Sequence, residues 1–133
     1  MDKKIFELGF KVRDYELDLQ GIVNNAVYQN YLEHARHEML DESGVNFNAL
    51  HIEGYDAVVI RAEIDYKKAL GSGDEFIVRT FVERDGRLKI VFNQEIIRNK
   101  DQAVMVKARI FAACIHKGRP VEPLFILEKL GLL

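Results

Sequence analysis

A single stretch of helical periodicity stands among runs of strand-like alternation, and this limits the folds open to the chain. Apolar residues from Tyr28 to Met39 recur every three or four positions, which predicts an amphipathic helix beginning near Asn25. Gly44 is well placed to end it. This is the one long helix that the pattern predicts. Its apolar face therefore needs a sheet to cover it.

Alternating apolar and polar residues predict one strand before this helix and four after it. The later strands are joined mainly by short turns such as Asp85-Gly86, and short turns imply antiparallel neighbours. We therefore expect an α+β fold with an antiparallel sheet against the helix. A short helical turn is expected within 45–56 and a short helix after Pro123. The predicted strands are 6–13, 58–66, 76–82, 88–96 and 104–115.

Composition restricts the class of protein. With 133 residues, the chain is expected to form a single domain, 1–133. Its lone Cys114 cannot form an internal disulfide, and neither a signal peptide nor a membrane span is evident, so we expect a cytoplasmic protein. A net charge of −2 argues against non-specific nucleic-acid binding, which needs a basic surface.

An acidic residue lies in a tight turn directly before the predicted helix. Asp18 precedes Gly21, and the pair Asn24-Asn25 follows where the helix should begin. The first N–H groups of a helix lack partners within it, and the helix dipole adds about half a positive charge there. A carboxylate beside such a helix end could split an ester-like bond while the N–H groups stabilise the oxyanion.

The element order and the run from Asp18 to Arg36 resemble the hotdog-fold thioesterases. The nearest likeness is to the 4-hydroxybenzoyl-CoA thioesterase family and its acyl-CoA thioester hydrolase relatives. This resemblance implies a curved antiparallel sheet wrapped around one long central helix. It also implies hydrolysis of an acyl-CoA thioester to a free carboxylic acid and CoA, by a homodimer or a dimer of dimers. We expect no metal and no cofactor. The matching motif positions are Asp18, Gly21, Ile22-Val23, Asn24-Asn25 and Tyr28.

By motif position, the resemblance makes Asp18 the catalytic carboxylate and the backbone N–H of Asn25 the group that polarises the thioester carbonyl. Taken alone, an Asp just before a Gly turn usually forms a side-chain cap or an Asx-turn, and Gly21 is also typical of a positive-φ turn. Asn24 is as typical of a helix cap as of a ligand contact. The positions expected to contact substrate are Gly21, Val23, Asn24 and Tyr28.

Several functional alternatives stay open. Asp18 can attack the carbonyl and form a mixed anhydride, or it can deprotonate water. The substrate can be an acyl carrier protein thioester instead of acyl-CoA. A non-catalytic hotdog module that binds acyl-CoA is the main rival from another class, and a hotdog hydratase would need a catalytic histidine that the motif lacks.

Other polar residues receive structural interpretations. Glu33 is expected to be a structural partner, for instance of Arg36. His34 and His37 share a helix face but lack a third ligand at suitable spacing, so we interpret them as solvated. Glu16 and Asp14 are expected to be solvated or to support Asp18. Basic residues near strand ends could meet CoA phosphates, and none is singled out among Lys67, Lys68, Arg84, Arg87, Lys89, Arg98 and Lys100.

Overall fold

The computed structural model of the protein describes residues 4–133. Within this range six strands and three helices form an α+β fold, which confirms the predicted class. The strands are β1 (Phe6–Lys11), β2 (Tyr55–Tyr66), β3 (Glu75–Asp85), β4 (Lys89–Arg98), β5 (Val104–His116) and β6 (Arg119–Val121). The helices are α1 (Asn25–Glu42), α2 (Phe47–Ile52) and α3 (Leu124–Lys129).

All strands belong to one antiparallel sheet that wraps around α1. The order across the sheet is β1-β3-β4-β5-β2, and β6 pairs with the end of β5. All five predicted strands are present. The pattern did not predict β6, because its three residues are too few to show alternation. The first strand ends at Lys11, two residues before its predicted end, and a 3₁₀ turn at Asp14–Glu16 follows.

Local signals fix both ends of α1. At its start the Asn24 side chain accepts a hydrogen bond from the Ala26 N–H at 2.9 Å, as an N-cap does. At its end Gly44 has a φ of +92°, and its N–H donates to the Asp41 carbonyl. The Val45 N–H donates to the Leu40 carbonyl, which completes a Schellman motif. The predicted helix limits are therefore confirmed.

The core lies between α1 and the concave face of the sheet. The residues predicted for the apolar helix face are all buried: Tyr28, Tyr31, Leu32, Ala35 and Met39. They pack with fully buried strand residues, among them Phe76, Val78, Ile96 and Val106. Within residues 4–133, α1 is the one helix longer than six residues, so a single helix carries the centre of this core.

Strand β2 is the exception to this burial. It is present as predicted, but it ends the sheet, and its outer edge has no partner strand within the described chain. Its apolar residues Val58, Val59 and Ile60 are 40%, 51% and 49% exposed. The pairing with β5 shifts register between Val59 and Arg61, so Ile60 forms a bulge. An edge strand of this kind has unpaired backbone groups with which another chain can pair.

No helix among residues 4–133 is both long and apolar enough to cross a membrane.

Candidate active site

A small hairpin precedes α1 and carries Asp18. Leu17 pairs with Val23, the Asp18 N–H donates to the Ile22 carbonyl at 2.8 Å, and the Asn24 N–H donates to the Glu16 carbonyl at 3.1 Å. The turn closes through the Gly21 N–H, which donates to the Asp18 carbonyl. Gly21 has a φ of +78°, a conformation that disfavours any residue with a Cβ. The hairpin thus holds Asp18 at its tip and delivers the chain to the first turn of α1.

Only one oxygen of the Asp18 carboxylate accepts hydrogen bonds from residues 4–133. Its Oδ1 accepts hydrogen bonds from the N–H groups of Gln20 (2.8 Å) and Ile22 (3.4 Å), which is an Asx-turn. Its Oδ2 accepts no hydrogen bond from residues 4–133, and the residue is exposed. One oxygen therefore fixes the carboxylate while the other is open to water or substrate. The turn and the catalytic interpretations of Asp18 are compatible.

The first helical residue offers an unused donor. Asn24 caps the helix, so the Ala26 N–H is occupied, and the Val27 N–H donates to the Asn24 carbonyl. The Asn25 N–H has no hydrogen-bond acceptor within the described chain, and Asn25 is exposed. A free N–H at the positive end of an 18-residue helix suits a developing oxyanion.

Glu16 connects the hairpin to the helix. Its Oε1 accepts a hydrogen bond from the Tyr31 hydroxyl at 2.7 Å and another from the Arg13 N–H at 2.8 Å. Burial, and then the bond to Glu16, raise the pKa of Tyr31, so the hydroxyl stays protonated and donates. Of the two roles expected for Glu16, solvated or supporting, the structure shows the supporting one. The sequence signal for this contact is Tyr31, since a buried tyrosine needs a partner for its hydroxyl.

The positions predicted to contact substrate differ in exposure. Gly21 and Asn24 are exposed, whereas the side chains of Val23 and Tyr28 are buried in the core. The Val23 N–H donates to the Leu70 carbonyl, and the Leu70 N–H donates to the Tyr28 hydroxyl, each at 2.9 Å. Val23 therefore anchors the segment at Leu70 to the hairpin, and Tyr28 anchors it to α1. Their contacts with substrate stay a prediction.

A groove runs along α1 on the side that faces β2. Its larger part has a volume of about 710 Å³, with Phe92 and Ile126 in its lining. A smaller part of about 150 Å³ lies nearer the start of α1 and includes Gln29. The two parts share Glu33, Arg36 and Val59 in their linings, so they adjoin each other along α1. Gln29 lies about one turn beyond Asn25, so the smaller part begins near the start of α1.

A buried polar network, which the sequence analysis missed, lies beneath this groove. The Arg36 Nη1 donates to the Gln94 Oε1 at 3.2 Å. The Gln94 Nε2 donates to the Thr80 hydroxyl and to the Leu32 carbonyl, both at 3.0 Å. Glu33, the partner expected for Arg36, instead has its Oε1 3.9 Å from the His37 Nε2. Burial lowers the pKa of Arg36.

The basic residues near strand ends separate into two groups. Arg84 and Arg98 form ion pairs, with Glu122 at 2.9 Å and with Asp101 at 2.6 Å. Lys67 and Lys68 are exposed and have no acidic partner within 4 Å in the described range. They lie just before Gly71, which bridges to Ile22 of the hairpin. No group of three or more His, Cys, Asp or Glu side chains among residues 4–133 could hold a metal ion.

Sequence comparison identifies thioesterase relatives. Acyl-acyl carrier protein thioesterase ATL2 from Arabidopsis thaliana, a chloroplastic protein, is 38% identical over 117 residues, 87% of this chain. The chain spans 62% of the length of that relative. Acyl-CoA thioesterase YbgC from Haemophilus influenzae is 32% identical over 113 residues, which are 83% of this chain and 82% of that protein.

Structural comparison supports the fold. Slr0204, a 1,4-dihydroxy-2-naphthoyl-CoA thioesterase from Synechocystis, matches with a TM-score of 0.89 over 96% of this chain and 95% of that chain. At 15% identity this match shows the fold alone, and it confirms the hotdog architecture. The family model described as the thioesterase-like superfamily matches residues 12–129. The chain therefore belongs to the thioesterase-like superfamily.

Proposed function

We propose that the protein hydrolyses acyl thioesters to a free carboxylic acid and a thiol. The observation that supports this proposal is that a carboxylate with one open oxygen lies on the hairpin and an unused N–H lies at the start of the helix that follows it. The Asp18 Oδ2 and the Asn25 N–H are open, while the groups around them are hydrogen-bonded. These are the two groups that the chemistry needs, since a thiolate leaves without help from a general acid.

In the reaction the Asn25 N–H donates to the carbonyl oxygen as negative charge builds on it. Asp18 acts in one of two ways. It attacks the carbonyl carbon, expels the thiolate and leaves a mixed anhydride that water hydrolyses. Alternatively, it takes a proton from water, whose oxygen then attacks the same carbon. Both routes yield one carboxylic acid and one thiol per water consumed.

The carrier of the acyl group is CoA or acyl carrier protein. Named relatives act on each of these, the Arabidopsis protein on acyl-acyl carrier protein and the Haemophilus protein on acyl-CoA. Both carriers hold the thioester on a phosphorylated pantetheine arm. Lys67 and Lys68, beside the hairpin and free of acidic partners among the described residues, are suited to that phosphate.

We further propose a homodimer or a dimer of dimers built on the β2 edge. The exposed apolar run of Val58, Val59 and Ile60 supports this, because an unpaired apolar edge strand gains by pairing with a second copy. The groove along α1 adjoins this edge through Val59, so a partner seated there would cover it. A cytoplasmic location stays a prediction.

A thiol-release assay over short, long and aromatic acyl-CoAs, and over the matching acyl carrier protein thioesters, tests the activity. We expect Asp18→Asn to lower kcat by at least about 100-fold, because the variant can neither attack the carbonyl nor accept a proton from water. Asp14→Asn is the matched control, since Asp14 is an exposed acid on the same segment whose Oδ1 accepts from the Ser72 hydroxyl at 3.4 Å and not from the groups that hold Asp18. Binding of acyl-CoA without thiol release would favour a non-catalytic module instead.

A further inference from the structure

Arg36 is a buried cation without a carboxylate partner. It is 9% exposed, and its hydrogen bond within residues 4–133 goes to the neutral amide of Gln94. The nearby Glu33 attracts the guanidinium only from beyond ion-pair distance. A guanidinium stays protonated in proteins, and a buried charge is normally paired with an opposite one. Its remaining N–H groups therefore need an explanation.

Those N–H groups open onto the groove along α1. Among residues 4–133 that are not exposed, each side-chain nitrogen or oxygen atom that solvent cannot reach has a hydrogen-bond partner. Arg36 uses Nη1 for Gln94, so its Nε and Nη2, which have no acceptor among residues 4–133, must each be at least partly accessible. The open space next to Arg36 is the groove, since Arg36 lines both of its parts. Arg36 thus places a donor in the groove, whose smaller part is lined mainly by apolar side chains and whose larger part also carries His37, Glu38 and Asp41.

We propose that this groove holds the acyl chain and that Arg36 hydrogen-bonds an uncharged oxygen, a hydroxyl or keto group, carried partway along that chain. The inference rests on the proposed thioesterase function and names its substrate class. Apolar walls from Leu32, Ile64 and Ile110 suit methylene groups. A guanidinium only donates hydrogen bonds, so it selects an acceptor oxygen. Glu33, Glu38 and Asp41 also line the groove and disfavour a carboxylate.

Helix geometry locates this oxygen along the chain. Arg36 lies eleven residues beyond Asn25, which is roughly 16 Å along the axis at about 1.5 Å per residue. Its side chain leans back toward the helix start by about one turn, so the guanidinium lies roughly 11 Å from the Asn25 N–H. An extended chain advances about 1.2 Å per bond. The carbon that carries the oxygen should therefore lie about nine bonds from the thioester carbonyl carbon, at about the tenth carbon of the acyl chain.

The test compares dodecanoyl-CoA with its 3-, 6- and 10-hydroxy derivatives and with an ω-carboxylated chain. For the wild-type protein, we expect kcat/KM to be about 10-fold higher for the 10-hydroxy substrate than for the plain chain, because a hydrogen bond to a charged group is gained. The ω-carboxylate should be the poorest substrate. Arg36→Met should remove the 10-hydroxy preference, Arg36→Lys should keep part of it, and Arg109→Met, an exposed arginine on β5, should leave it unchanged.

Binding of non-hydrolysable thioether analogues provides the same comparison without turnover. Calorimetry should show about 10-fold tighter binding of the 10-hydroxy analogue, again lost in Arg36→Met. Hydrolysis of plain chains with no positional preference would overturn the role of Arg36 and leave the proposed activity intact. Tight, Arg36-dependent binding without any hydrolysis would support the groove and overturn the activity. Dissociation of an oligomer in Arg36→Met, with an unchanged substrate ratio, would assign Arg36 to subunit contacts and refute the inference.

Discussion

The hydrogen bond between Tyr31 and Glu16 links α1 directly to the hairpin that carries Asp18, and Tyr31→Phe removes this bond alone. The ring stays in place among Phe10, Phe76 and Tyr28, with centroid distances of 5.4, 4.8 and 6.3 Å. Glu16 keeps its bond from the Arg13 N–H, so no carboxylate oxygen is stranded. The substitution therefore loosens the hairpin without emptying the core.

The expected magnitudes follow from this geometry. Loss of one partly buried, charge-assisted hydrogen bond costs about 1–2 kcal/mol of the free energy of unfolding. For a chain of 133 residues this lowers Tm by about 4–7 °C. Because small displacements of a reacting group cost rate, we expect kcat to fall by about 10-fold while KM changes by less than about 2-fold.

Calorimetry and steady-state thiol release measure these two effects. Tyr15→Phe is the matched control, because Tyr15 lies on the same segment, is 77% exposed, and uses its hydroxyl for a surface contact with Arg13. It should leave kcat within about 2-fold of wild type, as surface substitutions generally do. A wild-type kcat in Tyr31→Phe, combined with the expected fall in Tm, would show that the bond serves stability and not the position of Asp18.

Two further predictions concern the carrier and the assembly. Replacing Lys67 and Lys68 by alanine should raise KM for acyl-CoA by about 5-fold over wild type at low salt. At about 0.5 M salt the increase should be smaller, because screening weakens the attraction between lysine and phosphate. The same ratio of variant to wild-type KM at both salt concentrations would refute this contact. Val59→Lys places a charge on the apolar β2 edge, so the molecular mass measured by light scattering should shift from oligomer to monomer. Ile52→Lys is the control, because Ile52 is an exposed apolar residue on α2. An unchanged mass in Val59→Lys would place the interface elsewhere.

The sequence predicted the parts of the fold that local rules determine. Side-chain periodicity gave α1 and its buried face, and Gly44 gave its end, because each depends on residues close together in the chain. The exposure of β2 could not be predicted in this way. Alternation in the sequence indicates that a strand has an apolar face, but it does not indicate where in the sheet the strand lies. The position of β2 depends on its pairing with β5, about fifty residues later in the chain.

In the candidate site, too, the features that depend on neighbouring residues were predicted, and those that depend on distant contacts were not. Asp18, Gly21 and Asn24 were predicted from turn and cap chemistry, and the structure gives each of them that local role. The contacts from Glu16 to Tyr31 and from Arg36 to Gln94 span 15 and 58 positions of the chain, and one sequence carries no signal for such pairs. Arg36 is a charged residue on α1, so the sequence around it gives no reason to expect burial. Its burial becomes visible only once the sheet is packed against the helix.

Asn25→Pro tests the central claim most directly, because it removes the N–H proposed to stabilise the oxyanion and keeps the helix. Proline is favoured at the first helical position, and Asn24, with φ −63° and ψ 139°, already has the backbone conformation that a following proline requires. Asn25→Ala retains the N–H and serves as the control. We predict a kcat about 100- to 1,000-fold below wild type in Asn25→Pro and a near-normal kcat in Asn25→Ala. Equal rates in these two variants, with both folded, would contradict the account.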